Sequence, residues 1–196
     1  MQSQPSCSLI SGIFLLSTLL GCAENATQVA AKQSCEVNEN LFEDATFQQL
    51  NVGGGPWTLS QHTGDGSFAF TVASETLTIE RIDKEPWTIL QQTLESSEFS
   101  GATILFSADL KGDAPAEPRL HGFEHKAGLY LNIGNRKDPI SADHEPNSGV
   151  WDWQTVSVER VVPAGESSVH VGFLHQSGGT LWVRSPAVTI IDCGPD

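Results

Sequence analysis

Two short stretches concentrate the side chains that could do chemistry. His121-Gly122-Phe123-Glu124-His125 sets two imidazoles four residues apart with a carboxylate between them, and Asp143-His144-Glu145 adds three more polar groups in a row. On a helix, histidines at i and i+4 share a face and can hold zinc. Here Pro118 and Gly122 argue for a loop. A metal cluster would form only where the two stretches meet, so solvated polar loops and no metal are the expectation. Glycosidic cleavage needs two facing carboxylates, and Asp109, Glu124 and Asp143 are the acids open to that role. Nothing in their context singles them out from the 24 acidic residues. The chain contains no Gly-x-Ser-x-Gly elbow to expose a nucleophilic serine. His170 and His175, an odd number of positions apart, would point to opposite faces of a strand. The chain is therefore not expected to be an enzyme.

The elements that would position these groups are strands. Alternation of apolar and polar residues recurs over 75–82, 87–94, 103–110, 128–133, 155–162, 169–175 and 181–191. Turn signals separate them: Gly53-Gly54-Gly55-Pro56, Gly64-Asp65-Gly66, Pro163-Ala164-Gly165 and Gly178-Gly179. Sustained 3.6-residue periodicity and internal repeats are both absent from the sequence. About eight to ten short strands in one domain indicate an all-β sandwich or barrel. Two long polar stretches, 112–125 and 135–149, read as surface loops, where binding usually resides.

Charge narrows the partners. Ten basic against 24 acidic residues give a net charge of −14. That argues against nucleic acid and anionic polysaccharides as partners and leaves neutral ligands.

The apolar run over residues 9–20 is 12 residues long, against about 20 for a membrane-spanning helix. It suits a signal-peptide core and ends in Leu19-Leu20-Gly21-Cys22. That ending resembles the lipobox of bacterial lipoproteins. The resemblance implies cleavage before Cys22 and a lipid on Cys22, giving a signal peptide over 1–21, a polar tether over 22–34 and a domain over 35–196. One departure is that residues 1–8 lack Lys and Arg, and an ordinary secretory signal is the alternative. Ala23 stands where an aspartate would retain a lipoprotein at the inner membrane. The family comparison thus points to the cell envelope and the outer membrane. With Cys7 in the signal and Cys22 lipidated, Cys35 and Cys193 remain and bracket the domain. In an oxidising compartment they read as a disulfide, with two unpaired thiols as the alternative.

Inside the domain, several motifs recur in a familiar order. Asn40-Leu41-Phe42-Glu43-Asp44 is followed by Trp57, then by Phe106-Ser107-Ala108-Asp109-Leu110-Lys111-Gly112. Trp151-Asp152-Trp153, Val162-Pro163-Ala164-Gly165 and Gly178-Gly179-Thr180-Leu181-Trp182-Val183 complete the set. Together they resemble galactose-binding-like jelly rolls, the fold of many carbohydrate-binding modules. The resemblance implies a jelly-roll β-sandwich. It also implies a structural calcium, held by the glutamate matching Glu43 and an acid near the positions of Arg184 and Ser185. Neither of those carries a carboxylate, so calcium is not expected and Arg184 is expected to pair with Glu43 in its place.

In such modules sugars stack on exposed aromatics while amides and carboxylates bond the hydroxyls. The aromatic candidates are Trp57, Trp87, Phe123, Tyr130, Trp151, Trp153 and Trp182. Trp151 and Trp153 would share one face of an extended strand, and Trp182 would be core. The ligand-binding candidates are Trp87, Phe123, Tyr130 and Trp151. The leading reading is a lipid-anchored, non-catalytic module for neutral glycan, its partners being a membrane and that glycan. A structural or protein-interaction envelope lipoprotein is second, and a small carbohydrate-active enzyme third.

Overall fold

The computed structural model describes residues 39–194 apart from 51–52, 64–65, 96–99, 116–121, 135–136, 138 and 166–167. The expected signal peptide, tether, lipidated Cys22, Cys35 and His121 lie outside the described residues.

The described residues form ten strands: β1 (Thr58–Gln61), β2 (Phe68–Ala73), β3 (Thr76–Arg81), β4 (Thr88–Glu95), β5 (Thr103–Ala114), β6 (Lys126–Ile133), β7 (Ile140–Ser141), β8 (Gly149–Val161), β9 (Ser168–Gln176) and β10 (Thr180–Asp192). They build two five-stranded antiparallel sheets, ordered β1-β4-β9-β6-β7 and β2-β3-β10-β5-β8. The all-β sandwich expected from the alternation is what forms. β5 shows the cause: Ile104, Phe106, Ala108 and Leu110 are buried, while Thr103, Leu105, Ser107 and Asp109 alternate with them on the solvent side. In the first sheet, Leu90, Phe173 and Leu129 lie in register across β4, β9 and β6 and point into the same core. Burying each such side chain contributes about 1.5–3 kcal/mol.

The opening segment is stitched to β10. Asn40 Oδ1 accepts the N–H groups of Phe42 and Val188, each at 3.1 Å, and Asn40 Nδ2 donates to the Pro186 carbonyl. Asp44 then organises the turn that follows. It accepts the N–H groups of Gln48 at 2.9 Å and Gln49 at 2.7 Å, and the Trp57 Nε1–H at 3.0 Å. Trp57 in turn stacks on Phe47 and Phe42, closing an aromatic cluster with Phe106 and Phe173. Trp57 is thus a structural tryptophan.

At the other end of the domain Cys193 is disulfide-bonded. Because Cys35 is not described, the pairing Cys35–Cys193 is taken up below as a proposal.

Candidate functional site

Strand register sorts the side chains of the first sheet into two faces. Thr88, Leu90, Gln92 and Leu94 of β4 pair with His175, Phe173, Val171 and Val169 of β9 and face inward. The intervening positions face away from the core: Ile89, Gln91 and Thr93 on β4, His170, Gly172 and Leu174 on β9, Gly128, Tyr130 and Asn132 on β6. His170 and His175 therefore do point opposite ways.

Three rings meet at the end of this sheet where β4 and β6 begin and β1 ends. The His62 imidazole lies edge-on to Trp87 at 6.1 Å and to Phe123 at 5.6 Å between ring centres. Behind it, the Glu85 carboxylate contacts His62 Nδ1 at 3.1 Å and accepts both the N–H and the hydroxyl of Thr63. The Thr63 hydroxyl, more than any other group, holds Glu85 below the usual carboxylate range. Gln176, the last residue of β9, donates to the Glu124 carbonyl at 2.7 Å and fastens the Phe123 segment beside the sheet.

Tyr130 and Leu174 face away from the core yet are nearly buried, at 8% and 3% exposure. Something must cover them, and one cover is the segment after β7. His144 lies against Gly128 so closely that an added Cβ would fall 2.0 Å from its Nε2. Nε2 accepts the Leu129 N–H at 3.0 Å, in line with the short β7 edge, and Lys126 pairs with Asp143 at 3.8 Å. Burial lowers the His144 pKa, consistent with a neutral acceptor nitrogen. The two polar stretches of the sequence thus come close to one another, since Asp143 of the second pairs with Lys126, the first residue of β6, directly after the first. They bring no metal set with them: among the described residues no three His, Cys, Asp or Glu side chains are grouped to hold an ion.

Of the four aromatic candidates, Trp87 and Phe123 come together through His62, and Tyr130 lies on the same face beneath its cover. Trp151 does not join them. It is 7% exposed and part of the core, its ring occupying the space a Cβ would need at Gly112, 2.1 Å away. The expectation that Trp151 and Trp153 share a face fails because the β5–β8 register shifts between Leu110 and Gly112. Trp153 consequently meets the Arg184 guanidinium at 4.2 Å on the outward side of the second sheet. Trp182, expected in the core, is also on that side, with Lys111 over its ring at 5.7 Å. Asp109 belongs there as well. It bonds Arg184 and Thr155, away from Glu124 and Asp143, so the three acids do not face one another.

His62 and Glu85 were missed in the sequence because neither falls in a spaced motif. The one legible signal is the position of Glu85 directly before Pro86 and Trp87; the strand that ends beside His62, β1, is not among those read from the alternation.

No protein-family model matches the sequence, and no curated protein matches it. Solved structures do match in shape. A tailspike protein 4 domain of Bacteriophage CBA120, described as enzymatically active, superposes with a TM-score of 0.57 at 15% identity. The match covers 78% of this chain and 21% of that one, so the chain spans about a fifth of the tailspike domain. The carbohydrate-binding module TmCBM61, solved in complex with β-1,4-galactotriose, matches at a TM-score of 0.50 and 9% identity over 78% of this chain and 99% of its own. The fold is the jelly roll of carbohydrate-binding modules.

The calcium that this resemblance implies does not fit the residues here. Glu43 is exposed, and its described hydrogen bond is from its backbone N–H to Gln92 Oε1. Arg184, at the expected second ligand position, does not pair with Glu43, contrary to expectation. Its Nε bonds Asp109 Oδ2 at 3.2 Å, because Asp109 is its direct cross-strand neighbour on β5.

Proposed function

We propose that this jelly roll is a non-catalytic module that binds neutral glycan on the outward face of its first sheet. The observation that carries the reading is the His62–Trp87–Phe123 corner at the end of that face. Beyond the rings, the face continues into amide and hydroxyl side chains, among them Gln91, Thr93 and Asn132. Sugars present C–H faces to aromatic rings and hydroxyls to planar polar groups, so this sequence of surfaces suits them. The net charge of −14 favours an uncharged ligand. Ligands such as galactotriose in the matched module make β-linked neutral oligosaccharides the first probes. A glycan array probed with the full-length protein tests the reading. Binding to neutral glycans that Trp87→Ala weakens about tenfold or more supports it, and binding to no neutral glycan overturns it.

The same proposal places the module at a membrane. Cys22 carries the lipid, residues 22–34 are the tether, and Cys35 pairs with Cys193. The resulting lipoprotein belongs in the cell envelope, at the outer membrane where the organism has one. Metabolic labelling with a radiolabelled fatty acid tests this, since Cys22→Ala abolishes the label under the proposal and leaves it unchanged otherwise.

A further inference from the structure

Away from the first sheet, the opening segment, the β2–β3 turn and a bulge in β10 line a half-open pocket of about 310 Å³, at the small end of the roughly 300–1,000 Å³ typical of ligand pockets. Ala45, Pro186 and Ala187 give it an apolar floor, and Ser74, Ser185, Glu75 and Arg184 supply polar groups around it. We infer that this pocket is a second saccharide site, sized for a monosaccharide or disaccharide and distinct from the aromatic corner.

Backbone conformation is the first support. Five described non-glycine residues have positive φ, and three of them, Ser74 at 49°, Glu75 at 58° and Ser185 at 52°, line this one pocket. Ser74 and Glu75 form the two-residue turn between the paired Ala73 and Thr76. Such a turn needs φ > 0 at both positions and favours Asn-Gly. Ser-Glu instead puts a hydroxyl and a carboxylate at the pocket, where glycine would put neither. Strained backbone of this kind concentrates at functional positions.

Arg184 is the second support. Its guanidinium is fixed from two directions, by Asp109 through Nε at 3.2 Å and by the Trp153 ring at 4.2 Å. That leaves its terminal nitrogens without a protein hydrogen bond among the described residues, as donors already oriented. Glu75 makes no ion pair among the described residues and supplies the acceptor. Asp109 already balances the Arg184 charge, so Glu75 adds a net negative charge that disfavours an anionic ligand, and an uncharged polyol satisfies both groups by accepting from Arg184 and donating to Glu75. The apolar floor suits the C–H face of the same ring.

The ligand class rests on the sugar-binding reading above, and the test separates the two sites. Titration calorimetry on the full-length protein uses galactose, glucose, xylose and their β-1,4-linked disaccharides as probes. The second site predicts that Glu75→Gln and Arg184→Gln each weaken a small-sugar interaction about tenfold or more, while Trp87→Ala/Phe123→Ala leaves it unchanged. Glu75→Gln lies in an exposed turn and keeps the result interpretable should Arg184→Gln disturb the β5–β10 contact. Small-sugar binding that only Trp87→Ala/Phe123→Ala removes overturns the second site and leaves the first standing. The absence of small-sugar binding by the wild-type protein overturns the second site, whatever the array shows for longer glycans.

Discussion

His175 makes the stability of this domain depend on pH in a way that can be worked from its surroundings. Its side chain is fully buried between the sheets, with Nε2 at 3.1 Å from the Gly179 carbonyl, Nδ1 at 3.4 Å from the Ser177 N–H, and the Phe68 ring 5.5 Å away. The arrangement suits the neutral imidazole, donating from Nε2 and accepting at Nδ1. Burial pushes its pKa down to about 4. In the unfolded chain the same group titrates near 6.5. Above about 6.5 neither state is protonated and His175 has no effect. As pH falls through the interval, only the unfolded chain takes up the proton, and stability drops by up to about 1.4 kcal/mol per pH unit. Near pH 4 the folded form is protonated too and the loss levels off, at about 3 kcal/mol in all. His144, also lowered by burial, adds to the slope in the same direction. The lowered Glu85 acts at more acidic pH, since its stabilisation is lost only as pH falls below the ordinary carboxylate range. Urea unfolding at a series of pH values from 7 to 4.5 measures the slope, and His175→Gln should flatten it by about one proton's worth. Equal slopes for wild type and His175→Gln would refute the reasoning, whatever the variant's absolute stability.

Other expectations come from single contacts. Gly172→Ala sets a Cβ 2.0 Å from the Leu90 carbonyl oxygen, and thermal unfolding should register a loss of about 1–3 kcal/mol from overpacking. Trp151→Ala should cost about 3–5 kcal/mol as a core truncation, whereas Trp87→Ala changes the melting temperature little. Asp44→Ala leaves three N–H donors of Gln48, Gln49 and Trp57 without their acceptor, and chemical denaturation should show about 1–3 kcal/mol lost. Burial delays protonation of His144 to below the ordinary histidine range, and once protonated it can no longer accept the Leu129 N–H, so on acidification amide exchange at Leu129 should accelerate relative to Leu131 in the same strand.

The sandwich was legible because its strands are faithful to period two. β3, β4 and β5 alternate as the sequence does, and the core fills from those positions. What alternation cannot supply is register. The irregularity between Leu110 and Gly112 sends Trp151 inward and Trp153 outward, against a simple reading of i and i+2. Arg184 found Asp109 rather than Glu43 for the same reason, since cross-strand neighbours are set by pairing and not by motif order. Trp182 looked like core by its size. A half-buried ring under a lysine ammonium is stable at the surface too, and Lys111 supplies that cation. Trp87 and Phe123 were legible as aromatics beside polar stretches, but their meeting at His62 needed three separate chain segments folded to one end of a sheet.

The central claim is that this end of the first sheet receives a neutral glycan. Titration calorimetry with the strongest array ligand, run on wild type, Trp87→Ala and Phe123→Ala, tests it most directly. Removal of either ring should weaken binding about tenfold or more at unchanged stoichiometry for that face. Unaltered affinity in both variants would contradict the claim.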